Sequence, residues 1–233
     1  MKPINVGLLG IGTVGGGTWE VLNRNADEIR RRAGRAIRIT QVADRDVKRA
    51  KSIVKGKAKV VDDARAVLRS PDIEIIVELI GGCTVAKELV LEAIRHGKHV
   101  VTANKALLAT HGNEIFAAAQ KKGVMVAFEA AVAGGIPIIK ALREGLTANR
   151  IEWIAGIING TSNFILSEMR DKGLPFADAL KDAQARGYAE ADPTFDIEGV
   201  DAAHKLTILS ALAFGIPMQF KKAYTEGISK LTA

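Results

Sequence analysis

A glycine-rich turn follows the first apolar run of the chain. The run ends at Leu9 and leads into Gly10-Ile11-Gly12-Thr13-Val14-Gly15, after which a helical pattern begins. Glycines at this spacing between a strand and a helix are typical of the turn that holds a dinucleotide. The first permits a tight turn, the second lets the backbone approach the pyrophosphate, and the third packs the helix against the strand. We therefore expect all six residues of this turn to contact a dinucleotide at the positive end of the helix.

Short β-branched runs alternate with helical patterns over residues 1–130. The predicted strands are Asn5–Leu9, Ile37–Ala43, Ile73–Ile80, His99–Thr102 and Val124–Glu129. The predicted helices are Val14–Arg32, Val47–Ile53, Asp63–Leu68, Ala86–His96 and Lys105–Lys121. This alternation predicts an α/β fold with a doubly wound parallel sheet of the Rossmann type.

The pattern changes near Ala148. A predicted strand, Ile151–Ile158, is followed by predicted helices at Thr161–Asp171, Phe176–Ala185 and Val200–Phe214. We therefore predict an NAD(P)-binding domain over residues 1–147 and an α+β substrate-binding and dimerisation domain over residues 148–233.

The end of the second predicted strand is where such folds choose between cofactors. Asp44 would bind the ribose hydroxyls of NAD, and Arg45 would bind the 2′-phosphate of NADP. Residues 30–59 contain 12 Lys or Arg and 2 Asp in a chain of net charge +7. This charge favours NADP slightly. The alternative, a nucleic-acid surface, lacks interleaved aromatic residues and any known binding motif, so we expect no nucleic-acid partner.

Two more predicted strand ends carry candidate residues. Gly81 follows one strand, and its small size would let the nicotinamide half of a cofactor pass close to the backbone. Lys105 follows the next, after Asn104, which is a natural helix N-cap. Ligands of open α/β sheets bind outside the carboxyl ends of the strands, so we expect Gly81 and Lys105 to contact the cofactor. The alternative for Lys105 is a side chain that points to water.

Composition excludes several classes of protein. Cys83 is the only cysteine, so one chain can form neither a disulfide nor a cysteine-based zinc site. The apolar run from Ile4 to Ile11 is too short to span a bilayer and lacks the layout of a secretion signal. We therefore expect a cytoplasmic protein without a membrane partner. In such a protein the glycosylation sequon that begins at Asn159 is incidental.

Five carboxylates lie close together between Gly187 and Lys205. The helical pattern that begins at Val200 places Asp201 and Lys205 one turn apart on the same face. A group of negative charges in a basic protein suggests a ligand with an ammonium group, and the lysine suggests proton transfer. A solvated loop followed by an ordinary surface ion pair explains the segment equally well.

Five stretches of the sequence together resemble the homoserine dehydrogenases. They are the glycine turn with its preceding strand (residues 7–15), Thr-Ala-Asn-Lys at 102–105, Phe-Glu-Ala-Ala-Val-Ala-Gly-Gly-Ile-Pro at 128–137, Asn-Gly-Thr-Ser-Asn at 159–163, and the whole of residues 187–205. The stretches occur in the family's order and extend over nearly all of the sequence. The resemblance implies NAD(P)-dependent interconversion of L-homoserine and L-aspartate 4-semialdehyde, a step of threonine and methionine biosynthesis.

The same resemblance implies roles for individual residues. The catalytic pair would be Lys105 and Lys205, and Gly187 would lie against the cofactor. The substrate would be held by Glu190, Asp196 and Asp201, with Thr161 and Tyr188 nearby. A structural sodium ion would be bound by Glu129 and by the backbone carbonyls of Val132, Gly134 and Ile136.

Members of that family are longer than this chain and form homodimers. We therefore expect the second domain and its dimer interface to be incomplete at the carboxyl end. Two other functions remain open from the sequence. One is another NAD(P) dehydrogenase of amino-acid metabolism, which has no reason to share the acidic segment with its lysine. The other is a non-catalytic NADP-binding module.

Overall fold

The computed structural model describes residues 2–232, which form two compact units, Met1–Gly134 and Gly135–Ala233. The first unit contains six parallel strands: β1 (Ile4–Leu9), β2 (Ile37–Ala43), β3 (Lys59–Val61), β4 (Ile75–Glu78), β5 (His99–Thr102) and β6 (Val126–Ala127). They pair in the order β3-β2-β1-β4-β5-β6. The predicted doubly wound parallel sheet is confirmed, because this is the strand order of the dinucleotide-binding fold.

Six helices connect these strands. They are α1 (Thr13–Arg24), α2 (Ala26–Ala33), α3 (Val47–Val54), α4 (Ala64–Leu68), α5 (Thr84–Arg95) and α6 (Lys105–Lys122). The helix predicted from Val14 to Arg32 is wrong in one respect, since it is interrupted at Asn25, whose backbone leaves the helical conformation. Strand β3 was not predicted, because it has three residues at the sheet edge within the basic run and too little apolar pattern to detect.

The core of the first unit lies on both faces of the central strands. Leu8, Val42 and Ile76 are fully buried, as expected for a parallel sheet covered by helices on both sides. Trp19 on α1 packs into the same cluster and is 8% exposed. The sheet thereby holds the turn between β1 and α1 against a rigid support.

Helices account for all the regular structure described in the second unit. They are α7 (Ile138–Lys140), which continues as a π-helical turn over Ala141–Gly145, then α8 (Gly160–Lys172), α9 (Phe176–Ala185), α10 (Thr194–Ile197) and α11 (Val200–Phe214), with a short 3₁₀ turn at Phe220–Lys222. Ile165, Met169, Ala179 and Ala183 form its small core. The unit begins ahead of the predicted boundary at 147/148 because the π-helical turn contacts α11.

The strand predicted at Ile151–Ile158 is wrong. These residues have no regular secondary structure, and within residues 2–232 the last strand ends at Ala127. An extended segment becomes a strand only when a neighbouring strand pairs with its backbone, and the described part of this unit offers none. The alternating apolar residues are consequently left in solvent, with Trp153 74% and Ile157 78% exposed.

Within residues 2–232, each helix is too short or too polar to span a lipid bilayer.

Candidate active site

The three glycines of the β1–α1 turn differ in the space around them. Gly10 has a φ of +87°, and a Cβ on it would lie 2.8 Å from the carbonyl oxygen of Leu79. A Cβ on Gly15 would lie 2.1 Å from the carbonyl oxygen of Gly10. A Cβ on Gly12 would meet no atom within 4 Å. The turn is therefore packed at its ends and open at its middle, which fits a pyrophosphate approaching Gly12.

Asp44, at the end of β2, is hydrogen-bonded to this turn. Its Oδ2 atom accepts a hydrogen bond of 2.8 Å from the backbone N–H of Ile11. Its Oδ1 atom accepts one of 2.9 Å from the backbone N–H of Asp46. Both oxygens retain further lone pairs, so the carboxylate can still accept hydrogen bonds from ribose hydroxyls.

A cavity of about 710 Å³ opens beside the turn. Gly12, Thr13 and Trp19 line one part of it, and the basic residues that line it are Arg24, Arg49, Lys55 and Lys57. Arg45, which the sequence favoured for the 2′-phosphate, is exposed and does not line this cavity. The basic run therefore does meet the glycine turn, but through residues later in the run.

The carboxyl ends of β4 and β5 are joined by hydrogen bonds. Glu78, the last residue of β4, is fully buried and accepts a hydrogen bond of 2.7 Å from the hydroxyl of Thr102. Asn104 caps α6 by accepting from the N–H of Leu107 and donates to the carbonyl of Gly82. Its neighbour Lys105 is the first residue of α6 and is half-buried.

A second cavity, of about 570 Å³, lies wholly within the second unit. Its lining residues are Asn159, Gly160, Thr161, Phe164, Gly187, Tyr188, Asp196, Asp201 and Lys205. Six of these were predicted as site residues from the sequence. The charged side chains of the lining come from α10 and α11, and its aromatic rings are Phe164 on α8 and Tyr188 after α9.

One amide joins the two carboxylates of this cavity. The Nδ2 atom of Asn159 donates to Oδ1 of Asp196 at 2.7 Å and to Oδ2 of Asp201 at 2.8 Å. Its Oδ1 atom accepts from the N–H of Ser162 and so caps α8. Asp201 is 4% exposed, whereas Asp196 is half-buried. The start of α8 thus places two carboxylates side by side at the cavity wall.

Lys205 completes this cluster. Its Nζ atom donates to Oδ2 of Asp201 at 2.6 Å and to the carbonyl of Ile158 at 2.7 Å. The side chain of Lys205 is 19% exposed, so this is not an ordinary solvated surface pair. The i, i+4 spacing read from the sequence is present, and it carries an ammonium group to the cavity.

The other predicted substrate residues take different positions. The hydroxyl of Thr161 donates to the carbonyl of Tyr188, which fixes the cavity wall next to Gly187. The ring of Tyr188 packs on Phe164 with centroids 4.9 Å apart. Glu190 is exposed and does not line the cavity, although its carbonyl accepts from the side chain of Gln184.

The remaining carboxylates of the acidic segment serve local structure. Asp192 accepts hydrogen bonds from the hydroxyl and the N–H of Thr194, and these hold the pKa of its carboxyl below the usual value. Glu198 accepts a hydrogen bond of 2.7 Å from the hydroxyl of Ser229. Only Asp196 and Asp201 of the five carboxylates line the cavity.

The predicted sodium ligands lie on one continuous bend. Glu129 begins a 3₁₀ turn, Glu129–Ala131, and is half-buried. Val132 is buried, Ala133 has a φ of +50°, and Ile136 is 62% exposed. Of the predicted carbonyl ligands, that of Ile136 already accepts a hydrogen bond of 2.8 Å from the N–H of Ile138.

Comparison with known proteins agrees with this geometry. A family model described as homoserine dehydrogenase, NAD binding domain, matches residues 10–129, and a homoserine dehydrogenase model matches residues 137–233. The homoserine dehydrogenase of Pseudomonas aeruginosa is 67% identical over the whole of this chain and 53% of its own length. The chain belongs to the homoserine dehydrogenase family.

Solved structures of homoserine dehydrogenases are similar across the whole chain. That of the Thiobacillus denitrificans protein has a TM-score of 0.95 at 72% identity, and the match covers 100% of this chain and 54% of that one. A hyperthermophilic archaeal homoserine dehydrogenase in complex with NADPH has a TM-score of 0.83 at 27% identity, covering 99% of this chain and 75% of that one. The chain spans about half the length of the curated relatives it matches.

Sequence reasoning missed two residues that organise the candidate site of this homoserine dehydrogenase family member. Asn159 was set aside as part of an incidental sequon, although an Asn before Gly-Thr-Ser at the start of a helix is an N-cap signal. Glu78 was treated as part of a strand. A carboxylate within an otherwise apolar strand pattern was the available signal, because such a group is buried only when it is hydrogen-bonded.

Proposed function

We propose that this chain carries the cofactor- and substrate-binding parts of a homoserine dehydrogenase, which interconverts L-homoserine and L-aspartate 4-semialdehyde with NAD(P). The observation that carries the proposal is the cavity in which Asn159, Asp196, Asp201 and Lys205 meet. An amino-acid alcohol needs anionic groups for its ammonium and a proton acceptor for its hydroxyl, and this cluster supplies both.

The carboxylates bind the substrate ammonium. Asp196 and Asp201 hold two oxygens near each other through the amide of Asn159, so both can accept from the same ammonium group. Glu190, on the same segment, is the proposed third carboxylate, although its exposed side chain does not line the cavity. Thr161 and Tyr188 shape the wall that receives the rest of the molecule.

The lysines handle the hydroxyl proton. Lys205 holds its ammonium at the cavity through Asp201 and the carbonyl of Ile158, and Lys105 is its catalytic partner. Oxidation requires the lysine as a neutral amine, whose Nζ lone pair takes the hydroxyl proton, and in the reverse direction the resulting ammonium returns that proton to the forming alkoxide. The nicotinamide cofactor, when bound, supplies the hydride acceptor.

The first unit holds that cofactor. The open position at Gly12 fits the pyrophosphate, and Asp44 retains acceptor capacity for ribose hydroxyls. Gly10, Ile11, Thr13, Val14 and Gly15 form the rest of the cradle, with Gly81 and Gly187 against the nicotinamide half. NADP is the favoured cofactor because of the basic residues beside the turn, and Arg45 is the proposed partner of its 2′-phosphate.

Three finer features belong to the same proposal. A structural sodium ion is bound by Glu129 with the carbonyls of Val132, Gly134 and Ile136. The full-length protein is a homodimer. The protein acts in the cytoplasm, in threonine and methionine biosynthesis, without nucleic-acid or membrane partners.

The test is an initial-rate assay that follows the absorbance of the reduced cofactor, with NAD and NADP each paired with homoserine and a panel of other amino-acid alcohols. We expect turnover with homoserine. Turnover with another alcohol alone would identify a different dehydrogenase of amino-acid metabolism. Cofactor binding without any turnover, both in this chain and in a form as long as the relatives, would identify a non-catalytic module.

A further inference from the structure

Glu78 links the turns that follow β4 and β5, at the carboxyl ends of the strands, where open α/β sheets bind ligands in a crevice. We propose that it is a positioning residue, and that its buried negative charge makes the site bind the oxidised cofactor more tightly than the reduced one. The inference rests on the proposed function, because it assigns the nicotinamide half to this crevice.

The hydrogen-bond partners of Glu78 are all donors. Its Oε1 atom accepts from the backbone N–H groups of Ile80 at 2.8 Å and Gly81 at 3.3 Å. Its Oε2 atom accepts from the hydroxyl of Thr102 at 2.7 Å. That hydroxyl itself accepts from the N–H of Asn104 at 3.0 Å, so its proton points to Glu78. All three contacts therefore donate to Glu78, which suits the two acceptor oxygens of a carboxylate.

The charge of Glu78 is buried and is balanced by dipoles alone. The residue is 0% exposed, and within residues 2–232 its partners are two N–H groups and one hydroxyl, without an ion-pair partner. Burying an ionised carboxylate is costly even when it is hydrogen-bonded. A glutamine of the same shape would avoid this cost but would place an NH2 donor where the second carboxylate oxygen accepts a hydrogen bond.

The hydrogen bonds of Glu78 fix the backbone on both sides of the crevice. On one side is the turn after β4, where Gly81 and Gly82 have φ values of +82° and +69° and no neighbour within 4 Å of an added Cβ. The surroundings of these two glycines are open, and the hydrogen bonds from Ile80 and Gly81 to Glu78 tie the turn to the end of β4. On the other side, Thr102 and Asn104 lead into Lys105, and Asn104 Nδ2 donates back to the carbonyl of Gly82 at 2.6 Å.

The negative charge distinguishes the two redox states of the cofactor. An oxidised nicotinamide ring carries a positive charge that the reduced ring lacks. A carboxylate beneath the crevice therefore stabilises the oxidised form selectively, through a low-dielectric interior in which charge interactions are weakly screened. This selectivity favours binding of the cofactor that accepts hydride.

The experiment compares Glu78→Gln with two further variants in the full chain. Glu78→Gln keeps the shape but removes the charge. Thr102→Val keeps the charge but removes the hydroxyl that links β4 to β5, and Thr102→Ser restores that hydroxyl. The matched control is Glu88→Gln on α5, which removes an exposed carboxylate paired with Arg65. Dissociation constants are measured by calorimetry for NADP, NADPH and adenosine 2′,5′-bisphosphate, which lacks the nicotinamide half.

We expect Glu78→Gln to raise the dissociation constant of NADP about tenfold while that of NADPH changes by less than about threefold. Adenosine 2′,5′-bisphosphate should bind as in the wild type. Glu88→Gln should leave all three constants unchanged. An unaltered ratio of the NADP and NADPH constants in Glu78→Gln would overturn the electrostatic part of the inference.

Amide hydrogen exchange in the cofactor-free chain tests the positioning part independently of cofactor binding. Exchange at Ile80 and Gly81 should accelerate in Glu78→Gln and Thr102→Val, and Thr102→Ser should restore protection at the turn. Unchanged exchange in both of the first two variants would overturn the positioning role. If the wild type binds neither NADP nor NAD, the proposed function fails instead, and the exchange result still stands on its own.

Discussion

Lys205 shares the Oδ2 atom of Asp201 with the amide of Asn159, and this shared contact separates two possible roles for the lysine. If Lys205 transfers the hydroxyl proton, its contribution is realised mainly in the transition state. Lys205→Met should then lower kcat by about 10²–10⁴-fold with a smaller effect on KM and on cofactor affinity. Steady-state kinetics on a form of the protein that turns over homoserine provides the measurement.

Lys181→Met is the matched control for this prediction. Lys181 lies on α9 in the same unit and is exposed. The control should retain the wild-type rate, and so would Lys205→Met if the lysine only paired with Asp201. A near-wild-type rate in Lys205→Met would therefore refute the proton-transfer role even if homoserine remained the substrate.

Arg45 and Arg49 compete for the role of binding the 2′-phosphate. We expect Arg45→Ala to weaken NADP binding by about 1.5–3 kcal/mol, the range for a charged hydrogen bond, and to leave NAD binding nearly unchanged. Arg49→Ala is the informative companion because Arg49 lines the cavity beside Gly12. Titration of both variants with both cofactors decides the matter. If only Arg49→Ala lost the preference for NADP over NAD, Arg49 and not Arg45 would be the residue that binds the 2′-phosphate.

Lys98 is a buried lysine that stabilises the first unit outside the candidate site. Its Nζ atom donates to the carbonyls of Ser70 and Ile73, both at 2.6 Å. Desolvation lowers the pKa of Lys98 below its ordinary value, despite an opposing contribution from Asp72. Lys98→Met should reduce the free energy of unfolding by about 1–3 kcal/mol, because it removes the donor to the buried carbonyl of Ile73 and leaves the part-buried carbonyl of Ser70 with only the N–H of Ile73 at 3.4 Å.

The pH dependence of this effect has a definite sign. Between the lowered pKa of Lys98 in the folded chain and its ordinary pKa of 10.5, the unfolded chain binds more protons than the folded chain. The free energy of unfolding therefore increases with pH in this window. The hydrogen bonds survive, because a neutral amine still has two N–H donors for the two carbonyls. In urea titrations, the free energy of unfolding of the wild type should increase relative to that of Lys98→Met as pH rises toward 10.5. If this difference in free energy of unfolding decreased as pH rose, the desolvation of the Lys98 ammonium would be contradicted.

At the scale of a single element, the β1–α1 turn offers a paired test of two glycines. Gly15→Ala forces a Cβ against the carbonyl oxygen of Gly10, so the backbone must shift and the melting temperature should fall. Gly12→Ala meets open space, so the melting temperature should stay close to that of the wild type while affinity for NAD(P) falls. Thermal denaturation and cofactor titration on both variants check this. Equal loss of stability in both would show that Gly12 is also constrained by packing.

The elements that sequence predicted well are those whose signal is local. Strand β2 and helices α9 and α11 have the predicted bounds, because apolar periodicity and caps lie within each segment. The segment 151–158 shows the limit. Its alternating pattern suits a strand, but pairing depends on residues elsewhere in the chain, and none in the described part of the second unit pairs with it.

The same distinction between local and long-range signals applies to the candidate site. The spacing of Asp201 and Lys205 was readable because both lie on one helix. The bridge from Asn159 to Asp196 and Asp201 spans 37 and 42 residues, and periodicity carries no information at that separation. The choice between Arg45 and Arg49 depends on where the β2–α3 connection directs Arg45 and where α3 directs Arg49, which also requires the fold.

At the scale of the whole molecule, a bound cation would couple stability to salt. Glu129 and the carbonyls of Val132, Gly134 and Ile136 are the proposed sodium ligands. The melting temperature should therefore rise more with sodium chloride than with an equal concentration of tetramethylammonium chloride, since only the smaller cation fits such ligands. Scanning calorimetry in the two salts provides the comparison.

Two variants make the sodium prediction specific. Glu129→Ala should abolish the difference between the salts. Glu114→Ala on α6, which removes an exposed carboxylate paired with Lys87, should preserve it. Identical melting curves of the wild type in both salts would contradict the proposed sodium site.

The two tryptophans give each unit of the molecule its own optical signal. Trp19 is buried and lines the cavity beside the glycine turn, whereas Trp153 is 74% exposed in the second unit. Emission from the first should be blue-shifted and quenched by a bound nicotinamide cofactor, and emission from the second should be red-shifted and accessible to iodide. Replacing Trp153 with phenylalanine would leave Trp19 as a single intrinsic fluorophore, so that cofactor titrations of this chain can be followed without any label.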